Sequence, residues 1–134
     1  MIFHAFSDQP VLPVSHDKEI VKRVLLATGE VSHLAQLARS EIPPNGSTSP
    51  HVHRDMSEVF VVLQGVGEIF VDGKMVRVLQ EGDCVVFEPA EEHVLRNPSR
   101  EEGLRLLYFG TVPEKERQAI QKDELGSSDP TLAK

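Results

Sequence analysis

Residues 46–65 read GSTSPHVHRDMSEVFVVLQG, and this stretch decides the fold. His51 and His53 form a His-x-His pair. In an extended strand side chains alternate faces, so residues two apart point the same way. The pair therefore presents two imidazoles to one face and Val52 to the other. Two converging imidazoles suit a borderline divalent metal, because each neutral ring offers a nitrogen donor. Glu58 then opens the apolar run Val59-Phe60-Val61-Val62-Leu63. A carboxylate at the head of a buried strand is costly unless its charge is compensated. Arg54-Asp55-Met56-Ser57 is long enough for a turn that returns Glu58 to the histidines, where a metal would compensate it. The plainer alternative is a rim carboxylate in water.

On either side of this stretch the chain is a succession of short apolar runs: Val21–Ala27, His33–Ile42, Glu58–Leu63, Gly67–Val71, Met75–Leu79, Cys84–Phe87, His93–Arg96 and Leu104–Phe109. Each is strand length and rich in Val, Leu, Ile and Phe. Turn residues separate them, among them Pro43-Pro44-Asn45-Gly46, Gln64-Gly65, Glu81-Gly82-Asp83 and Asn97-Pro98. Asp72-Gly73 predicts a two-residue hairpin, whose central residues both need positive φ. Short strands at such spacing imply a sandwich or barrel rather than alternating β and α units. One helix is expected, over 113–125, with Pro113 in its first turn. The tail 126–134 reads as disordered.

His93 follows Glu88-Pro89-Ala90-Glu91-Glu92 and begins another strand-like run. Taken alone, a single His at a strand start is more often a satisfied polar residue than a ligand. Its spacing alters that reading. Gly46-x4-His51-x-His53-x4-Glu58-x6-Gly65 resembles the first motif of the cupin family. The segment from Gly82-Asp83 through Pro89, Ala90 and His93 to Asn97 resembles the second, and a short stretch carrying the hairpin separates the two. The resemblance covers roughly residues 34–110. There are departures: the first motif has four residues rather than five between its Gly and first His. In the second, Pro89 sits one position late and Glu88 takes the usual Pro place. Ala90 stands where Gly is usual, so that turn must avoid positive φ or accept strain.

The resemblance implies an all-β fold, a cupin-type antiparallel β-barrel of the double-stranded β-helix or jelly-roll kind, with a short C-terminal helix. It implies an N-terminal strand or arm over 1–33 and a barrel over 34–112. It also implies one divalent metal per chain, held by His51, His53, Glu58 and His93 near one mouth. Three neutral imidazoles and one carboxylate leave coordination positions open. Iron, manganese, nickel, cobalt and zinc all suit that donor set. Small cupins often pair through N-terminal strands, so a homodimer using Val11–Ala27 is expected.

The family hosts enzymes and binding modules on one scaffold, so the fold does not decide between them. One reading is a metal-dependent oxygenase or related small-molecule-transforming enzyme, its catalytic groups unassigned beyond the ligands. Another is a non-catalytic module binding a small ligand, a sugar or organic acid. A third is a sugar or sugar-phosphate isomerase. The third wants cations beside the metal, yet Lys22, Arg23, Arg39, Arg96 and Arg105 read as surface cations lying along strands. Phe60 shares strand parity with Glu58 and reads as core. Tyr108 reads as a strand residue with a wet phenol tip, and Met56 as pocket lining or loop packing. Asn97 reads as a turn cap before Pro98.

Bulk properties narrow the partners. The chain has 134 residues, 40% of them hydrophobic and 26% charged, and a formal charge of −7. Such a balance opposes phosphate-backbone binding and attraction to an anionic membrane, leaving a small molecule as the expected partner. No apolar run approaches the ~20 residues that span a bilayer. The first 14 residues carry no cationic segment followed by an apolar one, so the expected location is cytoplasmic. The single cysteine, Cys84, is followed by Val85-Val86-Phe87 and reads as a buried small apolar residue.

Overall fold

The computed structural model describes residues 1–112, so the helix and tail expected over 113–134 lie outside the described residues. A short 3₁₀ turn at Phe6–Asp8 precedes nine strands: β1 Leu12–Val14, β2 Asp17–Leu26, β3 Leu34–Ile42, β4 Ser57–Gln64, β5 Gly67–Val71, β6 Lys74–Leu79, β7 Cys84–Phe87, β8 His93–Arg96 and β9 Leu104–Thr111. They form a six-stranded sheet, β1-β2-β3-β9-β4-β7, and a three-stranded sheet, β6-β5-β8. The strand pairs are antiparallel, the arrangement expected from the sequence.

Alternation along the strands builds the core between the sheets. On β4, Glu58, Phe60 and Val62 are buried. On β9, Leu104, Leu106 and Tyr108 are buried. All of these but Glu58 meet Ile69 and Leu79 of the hairpin, Phe87 of β7 and Leu95 of β8 in one apolar cluster. A smaller cluster joins Ala35, Met56 and Val112. Met56 is therefore loop packing, pressed over Gly110, where a Cβ would meet its Sδ at 2.5 Å.

The hairpin between β5 and β6 turns at Asp72 (φ 50°) and Gly73 (φ 84°), as the Asp-Gly pair predicts. Three sequence expectations are corrected. Cys84 is exposed, not buried. On β7 it is Phe87 that is buried and Val85 that is half-buried, so Cys84 and Val86 take the opposite face. An unbroken apolar run does not reveal which parity faces the core. Tyr108 is buried, at 6% exposure, and stacks on Phe60 at 5.2 Å between ring centroids. Lys22 is likewise buried, and its Nζ donates to Gln36 Oε1 at 2.8 Å.

Ala90 accepts the strain. Its φ is 72°, and Glu91 N–H donates to Glu88 C=O at 3.2 Å. With Pro89 second and a positive φ third, this is the pattern of a type II turn, which favours Gly at that place. Ala90→Gly removes a left-handed alanine that costs about 1 kcal/mol or more, partly offset by the larger backbone freedom of glycine when unfolded. The expected result is a melting temperature a few degrees higher. A lower one in thermal unfolding would show that the turn holds Ala90 without strain.

Candidate metal centre

Three local devices bring the candidate residues together. Residues 46–53 run antiparallel to β8 without forming a regular strand. Ser47 bridges to Arg96 and His51 to His93, and His51 and His93 exchange backbone hydrogen bonds at 3.0 and 2.8 Å. Ala90 N–H then donates to His53 C=O at 2.7 Å, which fixes the next residue of the pair. As the His-x-His parity requires, Val52 faces out, at 44% exposure, while His53 is buried. Glu58 enters from β4, flanked in the sheet by Phe87 on one side and Gly110 on the other.

His53 Nε2 lies 3.2 Å from Glu58 Oε1, and His93 Nε2 lies 3.1 Å from the same oxygen. Donor atoms of these three residues fall within 4.8 Å of one another, and all three side chains are buried. His51 flanks this group. Its ring centroid is 6.3 Å from that of His53 and 6.1 Å from that of His93, and its nitrogens fall outside the tight set.

His93 is the most constrained of the rings. Its Nδ1 lies 3.1 Å from Glu91 C=O, a contact that keeps a proton on Nδ1, so that the neutral ring presents its lone pair to a metal at Nε2. Phe87 stacks on it at 3.9 Å, nearly parallel at 5°. The donor set thus fits a divalent metal: two Nε2 atoms and a carboxylate oxygen converge, and the second nitrogen of one ring is tied back to the chain. A metal's charge would also offset the cost of burying Glu58.

Burial by itself pushes the Glu58 carboxyl up. With no metal bound, hydrogen bonds from His53 and His93 through Nε2–H, with their charge, outweigh that and bring its pKa down to about 2, whereas a metal would take the same two nitrogens as lone-pair donors. For His51, burial pushes the imidazole below its ordinary 6.5, and the negative charges of Glu58 and Asp17 only partly oppose it. The fold therefore favours neutral His51. The stability this contributes is present above the unfolded value of 6.5 and is lost as pH falls from there toward the depressed folded value. Metal-free wild type is expected to lose more thermal stability between about pH 7 and 5.5 than His51→Gln, which does not titrate there. Equal losses would contradict the shift.

Glu58, His93 and the flanking His51 open onto a cavity of about 60 Å³. Beyond His51, Glu58 and His93 its wall is mainly apolar, from Val14, Ile20, Ile42, Phe60, Leu95, Leu106 and Tyr108. Asp17, Ser40 and Thr48 complete it. Asp17 is buried, at 5% exposure, and accepts from Ser49 N–H at 3.0 Å and from Ser49 Oγ at 2.5 Å. The His16 ring is steeply tilted against that of His51, at 63°, with centroids 6.4 Å apart. Sequence reading missed Asp17, Ser40, Thr48 and His16. Residues 16 and 17 precede the first apolar run, and only the non-local pairing of β2 carries them to the site. Arg23, Arg39, Arg96 and Arg105 stay outside this wall. The first two flank the Phe6 ring, and the others pair with Glu68 and Glu41.

Residues 38–110 match the cupin domain family model. A germin-like protein, subfamily 2 member 3, of Arabidopsis thaliana is 34% identical over 77 residues, which span 54% of this chain and 35% of that protein. Among solved structures, a predicted oxalate decarboxylase from Thermotoga maritima superposes with a TM-score of 0.73 at 22% identity, over 84% of this chain and 99% of that one. A polyketide cyclase from Streptomyces resistomycificus gives 0.68 at 23% identity, over 83% and 79% of the two chains. Among the described residues no helix is long and apolar enough to cross a membrane. With the model matching more than half of its length, and both motifs in place on the barrel, this chain belongs to the cupin family.

Proposed function

We propose that this protein is a metal-dependent enzyme acting on a small molecule, of the oxygenase kind, with one divalent ion held by His51, His53, Glu58 and His93. The observation that carries the reading is the convergence of His53 Nε2, His93 Nε2 and Glu58 Oε1, with Glu58 and His93 also lining a mainly apolar cavity. When bound there, the metal supplies Lewis acidity and lowers the pKa of a coordinated water or hydroxyl. The remaining work falls to the chain. Glu91 and Phe87 fix the plane of His93. Phe60, Leu106 and Tyr108 exclude water, which strengthens every polar interaction in the cavity. His51, neutral and at the cavity wall, is placed to complete the donor set as the fourth protein ligand.

The sugar-phosphate isomerase reading is disfavoured, because the described wall residues include no cation to meet a phosphate. The non-catalytic module stays as a second reading, favoured by one observation: outside the candidate ligands, the described wall residues offer Asp17 as their single carboxylate and no further imidazole. A homodimer through the β1 edge is part of the proposal. It is supported by exposed Val11 and Leu12 at that edge and exposed Val21 on the neighbouring β2. A monomer at all concentrations in sedimentation would remove the assembly.

The deciding experiment is elemental analysis of untagged protein, followed by oxygen uptake against catechols, diketones and thiols. About one ion per chain with turnover supports the enzyme. An ion with ligand-induced thermal stabilisation but no turnover favours the binding module. No ion, even after reloading, would sink the enzyme and leave the binding module ahead.

A further inference from the structure

We infer that Asp17 selects the charge of the substrate, restricting this cavity to small uncharged molecules that present a hydroxyl or N–H group. The inference rests on the metal reading above and extends it. Asp17 is a wall residue of the cavity, and its carboxylate is buried. Its two observed partners, Ser49 N–H and Ser49 Oγ–H, both donate, which suits an ionised carboxylate, an acceptor-only group. The backbone N–H is shared between both oxygens at 3.0 Å, and the hydroxyl goes to Oδ1 alone. A carboxylate has about four lone-pair sites, so Oδ2 keeps capacity for a further donor. In a buried wall, that donor is best supplied by what enters the cavity, because an unmet charged acceptor is costly there.

The charge balance points the same way. A divalent cation against Glu58 and Asp17, with neutral imidazoles, sums to zero. Among the described residues lining the cavity none is Lys or Arg. An anionic substrate would therefore add an uncompensated charge beside a buried carboxylate, whereas a neutral alcohol, enol or amide adds none. Ser40 and Thr48 supply hydroxyls on the same wall, although the Thr48 Oγ1 already accepts from Leu95 N–H at 3.0 Å. Asp17 belongs to β2, outside the matched residues 38–110, so the preference is a property of this chain's own N-terminal strand.

The test compares glycolate with glycolamide, nearly isosteric chelators that differ in charge, on the cobalt(II)-loaded protein by visible absorption titration. Removing one buried negative charge near the ligand is expected to change their relative affinity by about tenfold. Asp17→Asn should tighten glycolate by that factor while glycolamide stays within about twofold. Ser49→Ala, which loses the hydroxyl clamp but keeps the charge, should leave the ratio unchanged. If Asp17→Asn does not fold, Asp17→Ser carries the same expectation. A ratio unmoved by loss of the carboxylate, or moved equally by Ser49→Ala, would overturn the inference and leave the metal centre standing. Wild-type protein that takes up no cobalt would overturn the metal reading itself.

Discussion

His53→Ala/His93→Ala is expected to abolish metal retention, leaving well under one ion per ten chains where the wild type carries close to one per chain. The geometry sets the size of the effect. Two of the three donors that fall within 4.8 Å of one another are removed, and Glu58 loses both of its imidazole neighbours. Structural zinc sites with four protein donors bind with about 10–16 kcal/mol; on that scale each donor carries roughly 3 kcal/mol, and two amount to about 10⁴-fold in affinity. Glu58→Gln keeps the shape and removes the charge, so it should fall between, at about 10²-fold. His51→Ala should also be milder than the double variant, because His51 stands outside the tight set. Elemental analysis with a competing chelator reads all three. Retention of metal by the double variant would remove these residues from the site. The His93 truncation also opens space beside Phe87, so thermal unfolding of the metal-free proteins separates lost ligation from lost folding.

Much of this arrangement was legible in the sequence because it is local. Eight apolar runs appear as strands, since each carried its own boundary in a Gly, Pro, Asn or Asp turn. The hairpin at Asp72-Gly73 follows from backbone conformation alone. The shared face of His51 and His53 follows from strand parity, even though residues 50–56 form no regular strand. What the sequence withheld is non-local. β1 has three residues and includes Pro13, too little for a periodic signal. β2 begins at Asp17, and its polar start hid a residue that faces the cavity. Cys84 and Tyr108 were misread for a common reason. Each sits in an apolar run, and the facing of such a run is set by the sheet opposite rather than by its own composition. Lys22 was misread because a buried cation needs a partner, here Gln36, that is invisible until β2 and β3 are paired.

Asn97→Ala is expected to destabilise the protein by about 3 kcal/mol, a fall of roughly 10 °C in melting temperature for a chain of this size. Asn97 is 1% exposed. Its Nδ2 donates to the carbonyls of Ile42 at 3.1 Å, Pro43 at 3.1 Å and Glu102 at 2.8 Å, and its Oδ1 accepts from Ser99 N–H at 3.0 Å. Truncation removes four hydrogen bonds at once, and although Pro43 C=O keeps the Gly46 N–H, the buried Ile42 C=O loses its side-chain partner, where an unmet group costs about 1–3 kcal/mol. The consequence reaches the metal site through the chain. Asn97 follows β8, which begins with His93, and its own N–H donates to Gly46 C=O at 2.8 Å, at the head of the segment that carries His51 and His53. The side chain thus ties the ends of β3 and β8 to the start of the ligand loop. Asn97→Asp separates the hydrogen bonds from the shape. It has the same size, but it turns an acceptor toward the three carbonyls, so it should be at least as destabilising as alanine. Both variants should also bind metal more weakly at temperatures where they remain folded, because the loop loses its anchor. A melting temperature within about 2 °C of wild type for either variant would mean that water enters and satisfies the carbonyls, and that the loop is held by its backbone bridges to β8 alone.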